Sequence, residues 1–142
     1  MVADRRDAMI AVDTNVLVRY IVEDDPGQTA AAAALIDRAI QRNERLFITQ
    51  IVFCELVWVL SYAYRFNREG ITGALNELRR GAQVTIEGPD EVKRAVDAYA
   101  AGRGDFADYL LAEQAIAAGC SAIATFDRAL QSDPRFKAPG RL

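Results

Sequence analysis

The stretch Met9-Ile10-Ala11-Val12-Asp13-Thr14-Asn15-Val16-Leu17-Val18-Arg19 decides the fold class, because an apolar strand runs there into a carboxylate and then straight into a helix. In open α/β sheets the ligand crevice lies outside the carboxyl ends of the strands, so an acid at such an end faces a ligand more often than an acid elsewhere does. The same position also suits an N-cap, in which Asp13 accepts a backbone N–H from the helix's first turn. The rest of the chain has to separate these two roles.

Working outward, the alternation of strand and helix repeats. Thr14 to Val22 reads as a short helix, and Glu23-Asp24-Asp25-Pro26-Gly27 as a turn dense in breakers. Gln28 to Arg42 reads as a helix whose alanine run and Leu35, Ile36, Ala39, Ile40 stripe suit close packing, either in the core or against a partner. Leu46 to Thr49 is a second strand. The segment from Gln50 to about Arg65 is apolar on almost every side, which predicts a central buried helix. Ile71 to Gln83 is a further helix, Val84 to Ile86 a weak third strand, and Pro89 with Asp90 opens a helix to about Ala101. Asp105 to Asp108 opens the next helix, stopped by Gly119. Ser121 to Thr125 is a fourth strand that delivers Phe126 and Asp127 at its end, and the tail holds at most a short edge strand around Phe136. Strands without polar alternation, separated by helices, indicate an α/β fold with a parallel sheet sandwiched between helices.

A chain of 142 residues fits one domain, here a polar leader over residues 1–8 and a single domain over 9–142, large enough to bury roughly 70% of its unfolded surface. Cys54 and Cys120 stand far apart without metal-ligand spacing, so buried thiols in a reducing compartment are expected. The longest apolar run, Ile51 to Leu60, is interrupted by Glu55 and too short to span a bilayer. A cytoplasmic protein without a membrane partner is expected. The chain has no histidine, which removes His-based acid–base chemistry, catalytic triads and His-ligated zinc together. A formal net charge of -3 argues against a passive nucleic-acid coat. Of 17 basic residues only Lys93 and Lys137 are lysines, leaving 15 arginines. Arginine suits bidentate phosphate contacts, and equally suits ordinary surface ion pairs.

The acids carry the chemistry. Glu55 has Ile51, Val52, Trp58 and Val59 one turn either side, so its carboxylate is expected on an apolar face, where it needs a cation, a metal or a polar cavity. Asp13 and Asp127 end strands, and Asp105 and Asp108 open a helix. Carboxylates gathered in one crevice raise each other's pKa unless divalent cations neutralise them. Oxygen ligands without histidine or thiolate point to Mg²⁺ or Mn²⁺, and such ions suit phosphodiester hydrolysis by activated water.

The order DTNVLVRY, CELVWVL, DFADYLLAEQA and ATFDR resembles the PIN-domain ribonucleases, and most of all the VapC-type toxins of type II toxin–antitoxin systems, from Met9 to about Arg135. The resemblance implies a PIN-like three-layer sandwich with a central parallel sheet of four to five short strands. It implies catalytic, metal-holding acids at Asp13, Glu55, Asp108 and Asp127, with Asn15 and Thr125 orienting them and Asp105 either touching metal or water or capping its helix. It further implies an RNA substrate, a VapB-like antitoxin whose C-terminal segment occludes the acidic pocket, and a homodimer. Arg19 and Arg128, each near a strand-end acid, are the candidate RNA phosphate contacts, unless they pair with the acids instead. Two other α/β classes compete. Dehalogenase-like phosphatases want a second Asp where Asn15 stands, and receiver domains want a lysine near the end of a late strand, where this chain has none. A catalytically silent binding module is the remaining alternative.

Overall fold

The computed structural model describes residues 8–142, so all but Ala8 of the expected leader lies outside the described residues. The chain divides into two compact units, one ending at Pro89 and the other spanning Asp90–Leu142.

The first unit runs β1 (Met9–Ala11), α1 (Thr14–Val22), α2 (Pro26–Arg42), β2 (Arg45–Ile48), α3 (Gln50–Tyr62), α4 (Arg68–Arg79) and β3 (Val84–Ile86). Its strands form a parallel sheet in the order β1-β2-β3, with Ile10 opposite Leu46 and Leu46 opposite Val84. Short side chains at helix starts set the boundaries. Asp25 accepts from the Gln28 N–H, Thr49 from the Val52 N–H and Asn67 from the Gly70 N–H, each satisfying a donor that the first turn leaves open. Pro26 begins α2 two residues before the sequence reading, since its missing N–H costs nothing at a first helical position. Leu17, Val18, Phe53, Leu56, Leu60, Ile71 and Leu75 are buried and form this unit's core.

The second unit holds the body of α5 (Pro89–Ala101), then α6 (Phe106–Ala117), β4 (Ile123–Ala124) and β5 (Phe136–Lys137), with a 3-10 turn at Arg128–Leu130. β4 and β5 pair in parallel, Ile123 opposite Phe136. Edge-to-face pairs of Tyr99 with Phe106 and of Tyr109 with Phe136 fill its core. The expected stop at Gly119 is met, its φ of 95° being a value that L side chains rarely adopt. Among the described residues the fold is thus mixed α/β with six α-helices and five short strands, every strand pair parallel. Among the described residues no helix is long and apolar enough to cross a membrane.

Candidate active site

In the first unit β1 carries the chain to Asp13, the exposed N-cap of α1, whose carboxylate accepts the Thr14 N–H at 2.8 Å. Thr14 is only 4% exposed, and its hydroxyl donates to Glu55 Oε2 at 3.0 Å. One buried residue therefore holds two carboxylates, Asp13 through its backbone and Glu55 through its side chain. Among the described residues neither acid has an ion-pair partner. Thr14 carries no signal in the sequence beyond following the strand-end acid, and its role emerges only when α3 is placed beside α1.

The burial expected of Glu55 is corrected. It stands on an apolar stripe of α3, but that stripe faces water: Ile51 is 66% and Trp58 63% exposed. The opposite face, with Val52, Phe53, Leu56 and Leu60, is the buried one. Periodicity grouped Ile51 and Trp58 with Glu55 correctly but not Val52, which turns to the buried face, and it does not say what covers a face. Glu55 is thus open to solvent and accepts the Thr14 hydroxyl, and among the described residues no arginine pairs with it.

Arg19 is committed elsewhere. Its guanidinium meets Asp24 at 2.7 Å, the Tyr64 hydroxyl at 3.2 Å and the Gln28 side chain, while Tyr64 donates to Asp24 at 2.8 Å. The Tyr64 hydrogen bond, with Arg19 beside it, holds the Asp24 carboxyl below its ordinary pKa. The cluster closes the α1–α2 turn, so Arg19 pairs with an acid, though with Asp24 and not with Asp13. Asn15 is exposed on α1.

In the second unit Asp105 and Asp108 open α6. Asp108 accepts the Asp105 N–H at 3.3 Å, the reach-back half of a capping box. Asp108 is half-buried, and its pKa is raised, first by desolvation and then by the like charges of Asp105 and Asp127, against the lowering pull of the Asp105 N–H. Asp127 caps the 3-10 turn by accepting the Ala129 N–H at 2.9 Å, and Thr125 accepts the Asp127 N–H at 3.0 Å. Thr125 thus holds the backbone of Asp127, and Arg128 is exposed beside it. Gly104 sets this corner. Its buried N–H donates to the Tyr109 hydroxyl at 3.0 Å, and an added Cβ would collide with the Leu130 side chain. Behind α6, Glu113, 6% exposed, accepts from Arg94 and Arg135, both at 2.8 Å, and Arg135 also grips Asp133.

Among the described residues no group of three or more Asp, Glu, Cys or His is close enough to hold a metal ion. The donor chemistry nevertheless suits a hard divalent cation. Asp13, Glu55, Asp108 and Asp127 offer only carboxylate oxygens, none ion-paired to a cationic side chain among the described residues, and such oxygens favour Mg²⁺ or Mn²⁺ over softer metals.

The family model of the PIN domain matches residues 10–135. The chain belongs to the PIN domain family. That span includes Asp13, Glu55, Asp105, Asp108 and Asp127, and membership sets the phosphatase and receiver readings aside. Among curated proteins, a VapC ribonuclease of Aquifex aeolicus (strain VF5) is 25% identical over 120 residues, covering 84% of this chain and 88% of that relative. This PIN domain is therefore similar to that ribonuclease along almost its whole length.

Proposed function

We propose that this PIN domain is a metal-dependent endoribonuclease, acting in the cytoplasm as the toxin of a toxin–antitoxin module. The observation that carries the reading is the pinning of Asp13 and Glu55 by Thr14 with, among the described residues, no cation paired to either. Two negative charges kept in place without a counter-charge make a structural liability that a bound divalent ion relieves. Asp13, Glu55, Asp108 and Asp127 are the residues that would hold Mg²⁺ or Mn²⁺. The ion would supply activated water and neutralise charge at the phosphodiester. Thr14 fixes two of the acids and Thr125 the segment of a third. The raised pKa of Asp108, from desolvation first and then the like charges of Asp105 and Asp127, marks a carboxylate whose charge a bound cation would relieve. Arg128, exposed and next to Asp127, is the proposed phosphate contact, while the Asp24 pairing of Arg19 argues against that role for Arg19.

The relative's activity and its type of module extend the reading to RNA and to a VapB-like antitoxin, and a homodimer completes it. The first unit offers a protein partner an apolar groove of about 260 Å³, lined by Leu17, Ile21, Leu35, Ile36, Leu78 and Val84. Gln83 also lines it, and its buried Oε1 lacks a hydrogen-bond donor. Such an acceptor suits an incoming peptide N–H.

Asp13→Asn and Asp108→Asn, assayed on an RNA oligonucleotide with Mg²⁺ or Mn²⁺, should each lose activity by at least about 100-fold, since losing a mere supporting partner of a metal ligand already costs 10–100-fold. A chelator should abolish cleavage by the wild type, and added Mn²⁺ restore it. Full activity in both variants would defeat the reading, and an inert wild type with intact antitoxin binding would identify a silent module.

A further inference from the structure

Phe126 is the residue of the strand-end motif that the metal reading leaves without a role. At 88% exposed it stands further into water than any other large apolar side chain among the described residues. Its backbone is tied down on both sides. The Thr125 N–H donates to the Lys137 carbonyl at 2.9 Å, which continues the β4–β5 pairing up to the ring. Beyond the ring the Asp127 N–H donates to the Thr125 hydroxyl at 3.0 Å and the Ala129 N–H to the Asp127 carboxylate at 2.9 Å, and Leu130 then turns into the core. A ring carried on so fixed a segment has little ordering left to lose when a flat partner meets it.

Cations gather around this strand end. Lys137 lies opposite Ala124, two residues before Phe126. The 3-10 turn that Asp127 caps carries Gln131 at its other end, and Gln131, Pro134, Phe136, Lys137 and Arg141 line a cleft of about 370 Å³. Arg128, Lys137 and Arg141 are exposed and, among the described residues, none has an ion-pair partner. The contrast is with Lys93, the other lysine, which pairs with Asp97 at 2.9 Å, and with Arg94 and Arg135, which pair with Glu113. Residues 121–142 hold four cationic and two acidic side chains, an excess of two positive charges in a chain whose net charge is -3.

Chemistry chooses the occupant. An exposed ring alone suits a protein surface as well as a nucleobase. A ring among unpaired cations, in a chain that is acidic elsewhere, suits a base flanked by phosphates. Phe126 also directly precedes Asp127, one of the acids proposed to hold the metal.

We infer that Phe126 is a stacking platform for an unpaired base of single-stranded RNA, and that Lys137 and Arg141 hold the phosphates of the strand along the adjoining cleft. This rests on the endoribonuclease reading and adds to it the residues that seat the substrate. Every base has a flat face, so the platform fixes the position of the strand and leaves its sequence to other contacts.

Fluorescence anisotropy of a labelled oligouridylate, with divalent ions chelated so that nothing is cut, reads binding alone. Phe126→Ala should weaken binding about tenfold and Phe126→Tyr should keep it within roughly threefold, as loss and retention of one stacking ring require. Lys137→Ala combined with Arg141→Ala should flatten the dependence of log affinity on log salt by about 0.7 for each phosphate contact removed, whereas Phe126→Ala should leave that slope unchanged. Phe126→Trp combined with Trp58→Phe moves the only tryptophan of the chain to the platform, and oligouridylate should quench its emission. In cleavage with Mn²⁺, Phe126→Ala should raise KM about tenfold and keep kcat within roughly threefold. A fall in kcat at unchanged KM would show that the ring only braces Asp127, and would overturn the platform. Unchanged affinity in Phe126→Ala, with far-UV circular dichroism matching the wild type, would also overturn it and reassign the ring to a protein contact. A wild type that cuts RNA while Phe126→Ala behaves identically sinks the platform alone. A wild type that binds oligouridylate through Phe126 and cuts no RNA sinks the nuclease reading and leaves the platform standing.

Discussion

Replacing Thr14 by Val separates the positioning of an acid from the folding of the chain. The substitution keeps the branched shape and deletes only the hydroxyl that donates to Glu55 Oε2 at 3.0 Å, while the backbone N–H that serves Asp13 remains. A hydrogen bond to an ionised group contributes about 1.5–3 kcal/mol. Glu55 is exposed, so water replaces part of the lost bond and the lower end applies. If that 1.5 kcal/mol goes into holding Glu55 ready to act, its loss lowers the cleavage rate about tenfold. Stability should barely respond, because Thr14 is 4% exposed and a methyl in that place gains burial as the hydroxyl loses its acceptor. Thr14→Ser keeps the donor and should stay within roughly threefold of wild type, its freer rotamer being the only penalty. Single-turnover cleavage of a fluorophore-labelled RNA with Mn²⁺, beside thermal melts, tests this. Unchanged cleavage by Thr14→Val, or an equal loss in Thr14→Ser, would refute the assignment of Thr14 as the residue that positions Glu55.

Two further predictions concern the second unit. Arg135 holds the Asp133 carboxyl below its ordinary pKa, so Asp133 binds its proton less tightly folded than unfolded, and its contribution is present above the unfolded pKa and lost as pH falls through the folded one. Asp133→Asn should therefore destabilise by about 1 kcal/mol near neutral pH and converge with wild type in acid, as urea titrations at several pH values will show; a constant difference at every pH would exclude the ion pair as its cause. Gly104→Ala should cost about 2 kcal/mol, on the order of 6 °C in Tm, because its Cβ meets the Leu130 side chain and lies 3.2 Å from the Tyr109 hydroxyl. Differential scanning calorimetry checks this, and an unshifted transition would show that the corner yields.

What the sequence conveyed and what it withheld follow from what each signal measures. The bounds of α1 were legible from Asp13 and the apolar run behind it, and those of β3 from three strand-forming residues between breakers. The start of α2 was not, since Pro26-Gly27 reads as a turn until Asp25 is seen to cap it. The end of α3 was overrun, since the helix stops at Tyr62 and the left-handed residue beyond it is Arg65, where glycine would be the usual marker. The four acids proposed to hold the metal stand out by their order and spacing. Their surroundings do not: the Thr14–Glu55 bond spans 41 residues, and the pairing of Arg19 with Asp24 in preference to Asp13 depends on Tyr64 arriving from beyond α3.

Capping and chemistry look like rival roles for Asp13, but an acid that caps with one oxygen keeps the other free for the proposed metal. Asp13 and Asp105 are N-caps of α1 and α6, Asp108 lies in the first turn of α6, and Asp127 caps a 3-10 turn. Backbone N–H groups at a helix start carry partial positive charge and favour a carboxylate by roughly 0.3–1 kcal/mol each. These N–H contacts support the acids with no cationic side chain paired to them among the described residues, and they leave the remaining carboxylate lone pairs open. Glu55 is the exception, lying mid-helix with no free N–H nearby, and it is the acid that takes a hydroxyl from α1 instead. Thr14 supplies both solutions from one position, the N–H to one acid and the O–H to the other, which is why its side chain and not the cap is the sensitive part of this corner.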